Sequence, residues 1–324
     1  MQPFHTAAAD APMVLVLGPT GSGKSGLAIQ LALAFNGEIV NCDSQQIYRC
    51  LNIGTAKVPE SERHGVPHHL IDIADPDEVF SAGEFARRAR IVLEDIRVRG
   101  RLPIVGGGTG FYVRGLLNGL FEAPKRDDAL RMELNRREQL RAGFVHRLLR
   151  RLDPVSAGRI HPNDIQKAVR AVEISLNAQA PMSRLLGHTE RPLEGFRWLK
   201  LGLDPPRDAL YARINARCER MFAEGLVEET QSLLDRGFGR ETKALESIGY
   251  RQCIDIVEGR TTIAEALADV QMETRRYAKR QLTWFRRDPE IRWLNDFGDD
   301  PLIEREAMRL VNEHLHSTTG HSAL

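Results

Sequence analysis

The chain has 324 residues, 42% hydrophobic and 27% charged, with a net charge of +1. That length suits a large core and about two domains, and the near-neutral balance speaks against a global basic surface for nucleic acid, so any such surface is local. Four scattered cysteines (Cys42, Cys50, Cys218 and Cys253) form no C-x-x-C pair, which argues against a disulfide framework or zinc site and for a reducing compartment.

No apolar run approaches transmembrane length. The first dozen residues lack a basic n-region and a long apolar h-region, so no signal peptide is expected. The ends, 1–11 and 316–324, read as frayed tails.

Residues 13–17 are an apolar run of strand length, and residues 26–35 carry helical apolar spacing. Between them lies Gly18-Pro19-Thr20-Gly21-Ser22-Gly23-Lys24-Ser25, which fits the P-loop pattern G-x-x-x-x-G-K-[ST]. The glycines let backbone N–H groups turn inward around a phosphate, and the helix that follows adds its N-terminal partial charge. Lys24 neutralises phosphate oxygens and Ser25 ligates Mg²⁺ in such a loop. The alternative, a glycine-rich turn with a chance Lys-Ser, is disfavoured by the strand before and the helix after. The motif promises a di- or triphosphate without naming it.

Gly37 is expected to close that helix, and residues 38–42 to form a second strand. The strand delivers Asp43-Ser44-Gln45-Gln46 just past its C-terminal end, where ligands of open α/β sheets bind. Asp43 is there either for chemistry or as a helix N-cap. Residues 67–73 read as a strand with two histidines, His68 and His69. Adjacent strand residues face opposite ways, so a hydrogen-bonded or solvated pair is favoured over metal ligands. Residues 81–99 read as an amphipathic helix stopped by Gly100. Residues 102–105 form a third strand, running into Gly106-Gly107-Gly108-Thr109-Gly110, a turn whose one hydroxyl is Thr109. Strand alternating with helix implies βαβ units and a parallel sheet.

From about residue 120 the grammar changes. Residues 121–191 hold fourteen Lys and Arg against nine Asp and Glu, with Leu and Arg at helical spacing and little strand signal. A basic helical module beside a phosphate site suits a nucleic-acid backbone, and a solvated arginine face is the plainer alternative. Residues 197–203 return to strand alternation. Residues 208–225 follow as a helix, with Arg213, Arg217 and Arg220 clustered on one side, either for an anion or for Glu219 and Glu224. Residues 273–287 interleave arginines with Tyr277, Trp284 and Phe285. That pattern suits RNA backbone contact with base stacking, or simply a helix with an aromatic core side.

The assembled motifs resemble the tRNA dimethylallyltransferases, P-loop prenyltransferases that modify adenine 37 beside the anticodon. The resemblance spans roughly residues 14–293. It rests on the P-loop, Asp43-Ser44-x-x-x-Tyr48, Ile53-Gly54-Thr55-Ala56-Lys57, Gly107-Gly108-Thr109 and His161-Pro162-Asn163-Asp164. It continues with the Arg213/Arg217 helix, Ile248-Gly249-Tyr250-Arg251-Gln252 and the run Tyr277-Ala278-Lys279-Arg280-Gln281-Leu282-Thr283-Trp284-Phe285. The family implies attack of the adenine N6 amine on C1 of dimethylallyl diphosphate, with diphosphate leaving.

By the same resemblance Asp43 is the general base, Arg217 reaches the diphosphate, and Thr109 holds either the leaving group or the inserted base. The P-loop and Mg²⁺ on Ser25 neutralise the leaving charge. The tRNA anticodon stem-loop would meet Asp43, Ser44, Gln45, Gln46 and Thr109. It would also meet Arg131, then Gln166, Lys167, Ala168, Val169 and Arg170, and finally Ser247, Ile248, Gly249, Tyr250 and Arg251. The expected fold is a P-loop NTPase-like parallel sheet flanked by helices, at 12–120 and 192–315, with a mainly helical tRNA-binding insertion at 121–191. A cytoplasmic monomer of bacterial type, without a zinc-finger extension, is expected.

Three departures from the family pattern stand out. Lys167 replaces a usual Arg, which keeps charge but loses a bidentate fork. Cys42 and Cys50 stand where Val or Ser, and Gly, are usual. Three rival readings remain on the table: a small-molecule kinase on the same fold, a prenyltransferase acting on free adenine nucleotides, and a nucleotide-switched RNA-binding protein without catalysis. The first lacks an acidic strand end, the second has no use for the basic insertion, and the third leaves Asp43 and Arg217 without roles.

Overall fold

The computed structural model describes residues 10–121, 124–186 and 191–317. The tail residues 1–9 and 318–324 named above lie outside the described residues. The chain divides into two compact units, 1–116 with 193–324, and 117–192.

The first unit opens with β1 (Ala11–Leu17) and α1 (Lys24–Ala34). Asn36 takes a left-handed φ of 53°, and Gly37 then opens β2 (Gly37–Asn41) rather than closing the helix. The strand expected at 67–73 is only two residues long, β3 (His68–His69), because Leu70 and Asp72 both take positive φ. Then come α2 (Ala82–Val98), β4 (Leu102–Gly107) and α3 (Gly110–Asn118). The Ser81 hydroxyl accepts from Glu84 N at 3.1 Å and so caps α2.

The second unit holds α4 (Asp128–Leu140), α5 (Phe144–Leu152), α6 (Pro154–Arg159), α7 (Ile165–Asn177) and α8 (Met182–Leu185). Leu134, Val145, Leu149, Ala168, Val169 and Val172 form its own core. Buried Glu173 accepts from Asp127 N at 2.6 Å, Arg131 Nη2 at 2.7 Å and Arg170 Nη1 at 2.6 Å. Buried Asp153 caps α6 through Ser156 N and takes the Ser183 hydroxyl at 2.7 Å.

The chain then returns to the first unit with β5 (Phe196–Leu203), α9 (Arg207–Ala223), α10 (Leu226–Asp235), α11 (Tyr250–Val257) and α12 (Ile263–Phe285). It ends in β6 (Ile291–Leu294) and α13 (Pro301–His316), elements the sequence reading left undefined. The helix expected at 273–287 is the C-terminal half of α12, a 23-residue helix opened by a Thr262/Glu265 capping box.

The six strands pair in parallel in the order β3-β2-β4-β1-β5-β6. Central β1 is buried from Met13 to Leu17, as a strand covered on both faces must be. Val14, Val16, Ile104, Leu201 and Leu203 pack with Leu27 and Leu31 of α1 and with Ala307 and Val311 of α13. The register places the C-terminal ends of β1, β2 and β4 side by side, with Leu17 opposite Gly107 and Asn41 opposite Gly106. Their three following loops therefore share one edge. Among the described residues no helix is long and apolar enough to cross a membrane.

Candidate active site

The loop after β1 is bent by Gly23, whose φ of +84° suits glycine and whose added Cβ would lie 2.9 Å from Gly298 N. Gly23 is also the N-cap of α1, with no side chain capping the helix and no acid in its first turn. The first amides of α1, from Lys24 onward, therefore have no intrahelical acceptor and carry the positive end of the helix. Gly298 N donates to Ser22 O at 2.8 Å, and Asp299 holds Arg213 in a fork with both distances 2.7 Å. The loop after β6 thus braces the phosphate loop. Arg213 is engaged there and also lies over the Phe297 ring, so of the expected arginine cluster Arg217 alone meets the P-loop.

Arg217 Nη2 donates to Thr20 Oγ1 at 2.6 Å. Its Nε is buried without a partner, and so is the Ser22 hydroxyl. Buried donors are normally satisfied, so orphaned ones beside a glycine loop mark a cradle for an anion. Burial lowers the Arg217 guanidinium below its ordinary value. The same cause brings the Lys24 ammonium down to about 8, with the Asp43 charge opposing and Arg217 reinforcing. Lys24 Nζ meanwhile donates to Pro19 O at 3.2 Å. A dense positive site of this kind recovers its full charge when a phosphate enters.

Asp43 follows β2, and its Oδ1 accepts from Gln45 N at 2.8 Å in a tight turn rather than a helix cap. This fixes the carboxylate and leaves its second oxygen for a partner. Its charge acts on Lys24, Arg217 and Tyr277. Thr109 is bound into the same edge. Its N–H donates to Cys42 O at 3.3 Å, and its hydroxyl accepts from Ser44 N at 3.1 Å. Tyr277 is hydrogen-bonded to Thr109, and burial followed by the Asp43 charge pushes its phenol upward. Asp43, Thr109, Lys24 and Arg217 therefore form one constellation.

Two residues that support that constellation, Gln281 and Tyr277, have no specific role from sequence alone. Gln281 is buried. Its Oε1 accepts from Thr20 N at 2.8 Å and its Nε2 donates to Gly108 O at 2.9 Å, tying the phosphate loop to the Thr109 loop. Tyr277 and Gln281 are four apart on α12 and share a face. That i, i+4 spacing was visible, but it read equally as core.

Ser25 is exposed in the first turn of α1, beside Lys24. Among the described residues no group of three His, Cys, Asp or Glu is placed to hold a metal. The donors present fit an Mg²⁺ ligated by the Ser25 hydroxyl and otherwise by oxygens of a bound diphosphate. His68 and His69 each have a hydrogen-bonded ring nitrogen. Nδ1 of the first contacts Val66 O at 2.9 Å, and Nε2 of the second contacts Glu38 Oε2 at 2.7 Å.

The residues expected to face RNA divide by burial. Ser44 and Gln46 are half-buried in the turn after Asp43, and the Gln45 Oε1 is buried without a partner. Gln166 and Lys167 are exposed in the first turn of α7, but Ala168 and Val169 are buried in that unit's core, which corrects the expectation for their side chains. Arg131 and Arg170 are held by Glu173. Tyr250 has no exposed surface and Gly249 is buried, which leaves Ser247, Ile248 and Arg251 as the partly accessible residues of 247–251. Arg251 is paired with Glu273.

Comparison with known proteins adds to this geometry. The family model described as IPP transferase matches residues 46–288. A tRNA dimethylallyltransferase of Solibacter usitatus is 56% identical over 304 residues, covering 94% of this chain and 99% of its own length. One from Koribacter versatilis is 55% identical, covering 93% and 98%. The solved full-length tRNA isopentenylpyrophosphate transferase of Bacillus halodurans superposes with a TM-score of 0.71 at 35% identity, covering 95% and 98%. A eukaryotic dimethylallyltransferase caught acting on tRNA superposes with a TM-score of 0.80 at 27% identity, covering 94% and 79%.

Proposed function

The chain belongs to the IPP transferase family, and we propose that it transfers a dimethylallyl group from dimethylallyl diphosphate to N6 of adenine 37 in tRNA. The transfer of a prenyl group to tRNA is what its relatives are named for. The particular donor, base and residue roles are our reading. The observation that carries it is Asp43: a fixed carboxylate beside Thr109, whose charge reaches both cations of the phosphate loop.

In this reading the N6 lone pair attacks C1 of the donor, and the bond from C1 to the bridging oxygen breaks. Diphosphate carries away the electron pair, and the free oxygen of Asp43 takes the N6 proton. The α1 amides, Lys24 and the Arg217 guanidinium meet the charge that develops on the leaving group. Mg²⁺, held by Ser25 and the diphosphate, would add further neutralisation when bound. Thr109 is held between Ser44 and Tyr277 where it reaches either the diphosphate or the base. The target adenine must leave its stack to reach this edge, which an anticodon loop permits at a cost of about a few kcal/mol. Exposed Gln166 and Lys167 of the helical unit fit contact with RNA backbone. We place the enzyme in the cytoplasm as a monomer.

The test is product analysis. Purified protein and Mg²⁺ are mixed with labelled dimethylallyl diphosphate and either unmodified tRNA or AMP. Label in tRNA, recovered on the N6 of adenine 37, is the expected result. Label in AMP alone would replace this reading with a nucleotide prenyltransferase, and ATP consumption without label would replace it with a kinase.

A further inference from the structure

Glu229 lies on α10, outside every motif that carries the family resemblance. Its carboxylate nevertheless gathers four donors from distant parts of the chain. Asn52 N, Ile53 N and Gly54 N reach it at 3.1, 3.0 and 3.4 Å, and the Tyr250 hydroxyl donates to Oε1 at 2.5 Å. Three successive amides converging on one anion form a nest, here filled by the protein's own carboxylate. Gly54 lies against Tyr250: an added Cβ would sit 2.4 Å from the ring, so only glycine lets the loop settle there. Burial, then the Glu229 charge, keeps the Tyr250 phenol protonated.

The same loop is locked from within. Thr55 Oγ1 donates to Leu51 O at 2.6 Å, and Lys57 Nζ reaches Tyr48 O and Asp72 Oδ1, both at 2.5 Å. Ala56, with a φ of 50°, turns the chain. The result is that the carbonyls of Thr55 and Ala56 both accept from Gln46 Nε2, at 3.0 and 3.3 Å. Both partners are acceptors only, so the orientation of the Gln46 amide is decided: nitrogen to the loop, oxygen away from it. Gln46 is three residues past Asp43.

We propose that Glu229 is a positioning residue for RNA. Through the nest at 52–54 and Tyr250 it fixes the loop that holds Gln46, so that the Gln46 oxygen is presented as an acceptor for the exocyclic amine of a bound base. This rests on the reading of the site as an RNA-modifying one. It gives the specific segment Ile53-Gly54-Thr55-Ala56-Lys57 a task, that of holding the Gln46 amide. A preset acceptor discriminates because the wrong base edge leaves it unpaired.

The test compares wild-type protein with Glu229→Ala, the volume-conserving Glu229→Gln, and Tyr250→Phe. Filter retention gives Kd for a synthetic anticodon stem-loop, steady-state assays give KM for tRNA and for dimethylallyl diphosphate, and a thermal melt reports folding. Glu229→Ala should raise Kd and the tRNA KM at least about tenfold, the size of one or two hydrogen bonds to a charged group. Glu229→Gln and Tyr250→Phe should fall between, and KM for dimethylallyl diphosphate should stay within about twofold in all three. An unchanged Kd in folded Glu229→Gln and Tyr250→Phe would overturn the proposal, as would equal rises in both KM values. Wild-type protein that binds the stem-loop but transfers no prenyl group would defeat the proposed activity instead, and the Kd comparison would still judge Glu229.

Discussion

Arg217 reaches from α9 to donate to the Thr20 hydroxyl at 2.6 Å while its Nε stays buried and unpaired. Nη2 is thus spent on fixing the loop, while the Nε–H on the same edge of the guanidinium is left without a protein acceptor. Lys at this position would keep charge but lose that division of labour. Arg217→Lys should lower kcat by about a hundredfold, the usual cost of one lost donor to developing negative charge. Single-turnover rates at saturating substrates check this. Binding of tRNA should be unaffected.

Gln281 joins two loops that both contribute to the site, bonding Thr20 N and Gly108 O. Gln281→Leu keeps much of the volume but strands a buried donor and a buried acceptor. The expected loss is about 2 kcal/mol of stability, or about 3 °C in Tm for a chain of this size. We also expect at least a tenfold lower kcat/KM for dimethylallyl diphosphate, because the phosphate loop and Thr109 lose their common brace. Thermal melts and initial rates on the same preparation separate the two effects.

Lys24 gives a pH signature. Burial brings it to about 8 from an ordinary 10.5, so free protein loses this charge as pH rises through about 8. Affinity for dimethylallyl diphosphate should fall over that range, by up to about tenfold per pH unit. The folded pKa is the lower one, so the unfolded chain binds the extra proton between those values. Ligand-free stability should therefore rise across the same window rather than fall. Calorimetric titration from pH 7 to 9.5 tests the affinity, and Lys24→Arg should flatten the curve.

Glu173 gives a signature of the same sign in the acid range, in the helical unit. Burial acts to raise its pKa, but Arg131, the Asp127 amide and Arg170 outweigh it and bring the carboxyl to about 2 from 4.5. The contribution of these partners is present above about 4.5 and is lost as pH falls towards 2. Glu173→Gln should remove that part of the acid dependence and leave Arg131 and Arg170 weakly held. Melts of both proteins between pH 7 and 3 should converge at the acid end. Parallel curves would show the pairs contribute nothing.

The sheet and the phosphate loop were legible because their signals are local: buried runs at 13–17 and 102–105, and glycines and a lysine at fixed offsets. Asp43 was placed by one rule about strand ends, and the register of β2 against β4 puts it there. What stayed hidden depends on pairings across the chain. Gln281 meets Thr20 from 261 residues away, and Glu229 meets the Ile53 amide from 176. No periodicity encodes such a hydrogen bond. Tyr250 shows the limit of motif reading in the other direction: it sits in a highly specific run, yet its side chain is buried against Gly54. The final helix was a different kind of omission, since Asp300 before Pro301 is an ordinary start signal and Asp300 Oδ1 does cap Leu302 N at 2.8 Å.

The most direct test of the account is Asp43→Ala, measured for both binding and chemistry. The account predicts stem-loop affinity within about threefold of wild type and a single-turnover rate lower by about a hundredfold or more, the span of a lost general base. An unchanged rate with tRNA and dimethylallyl diphosphate would contradict it and take Asp43 out of the chemistry.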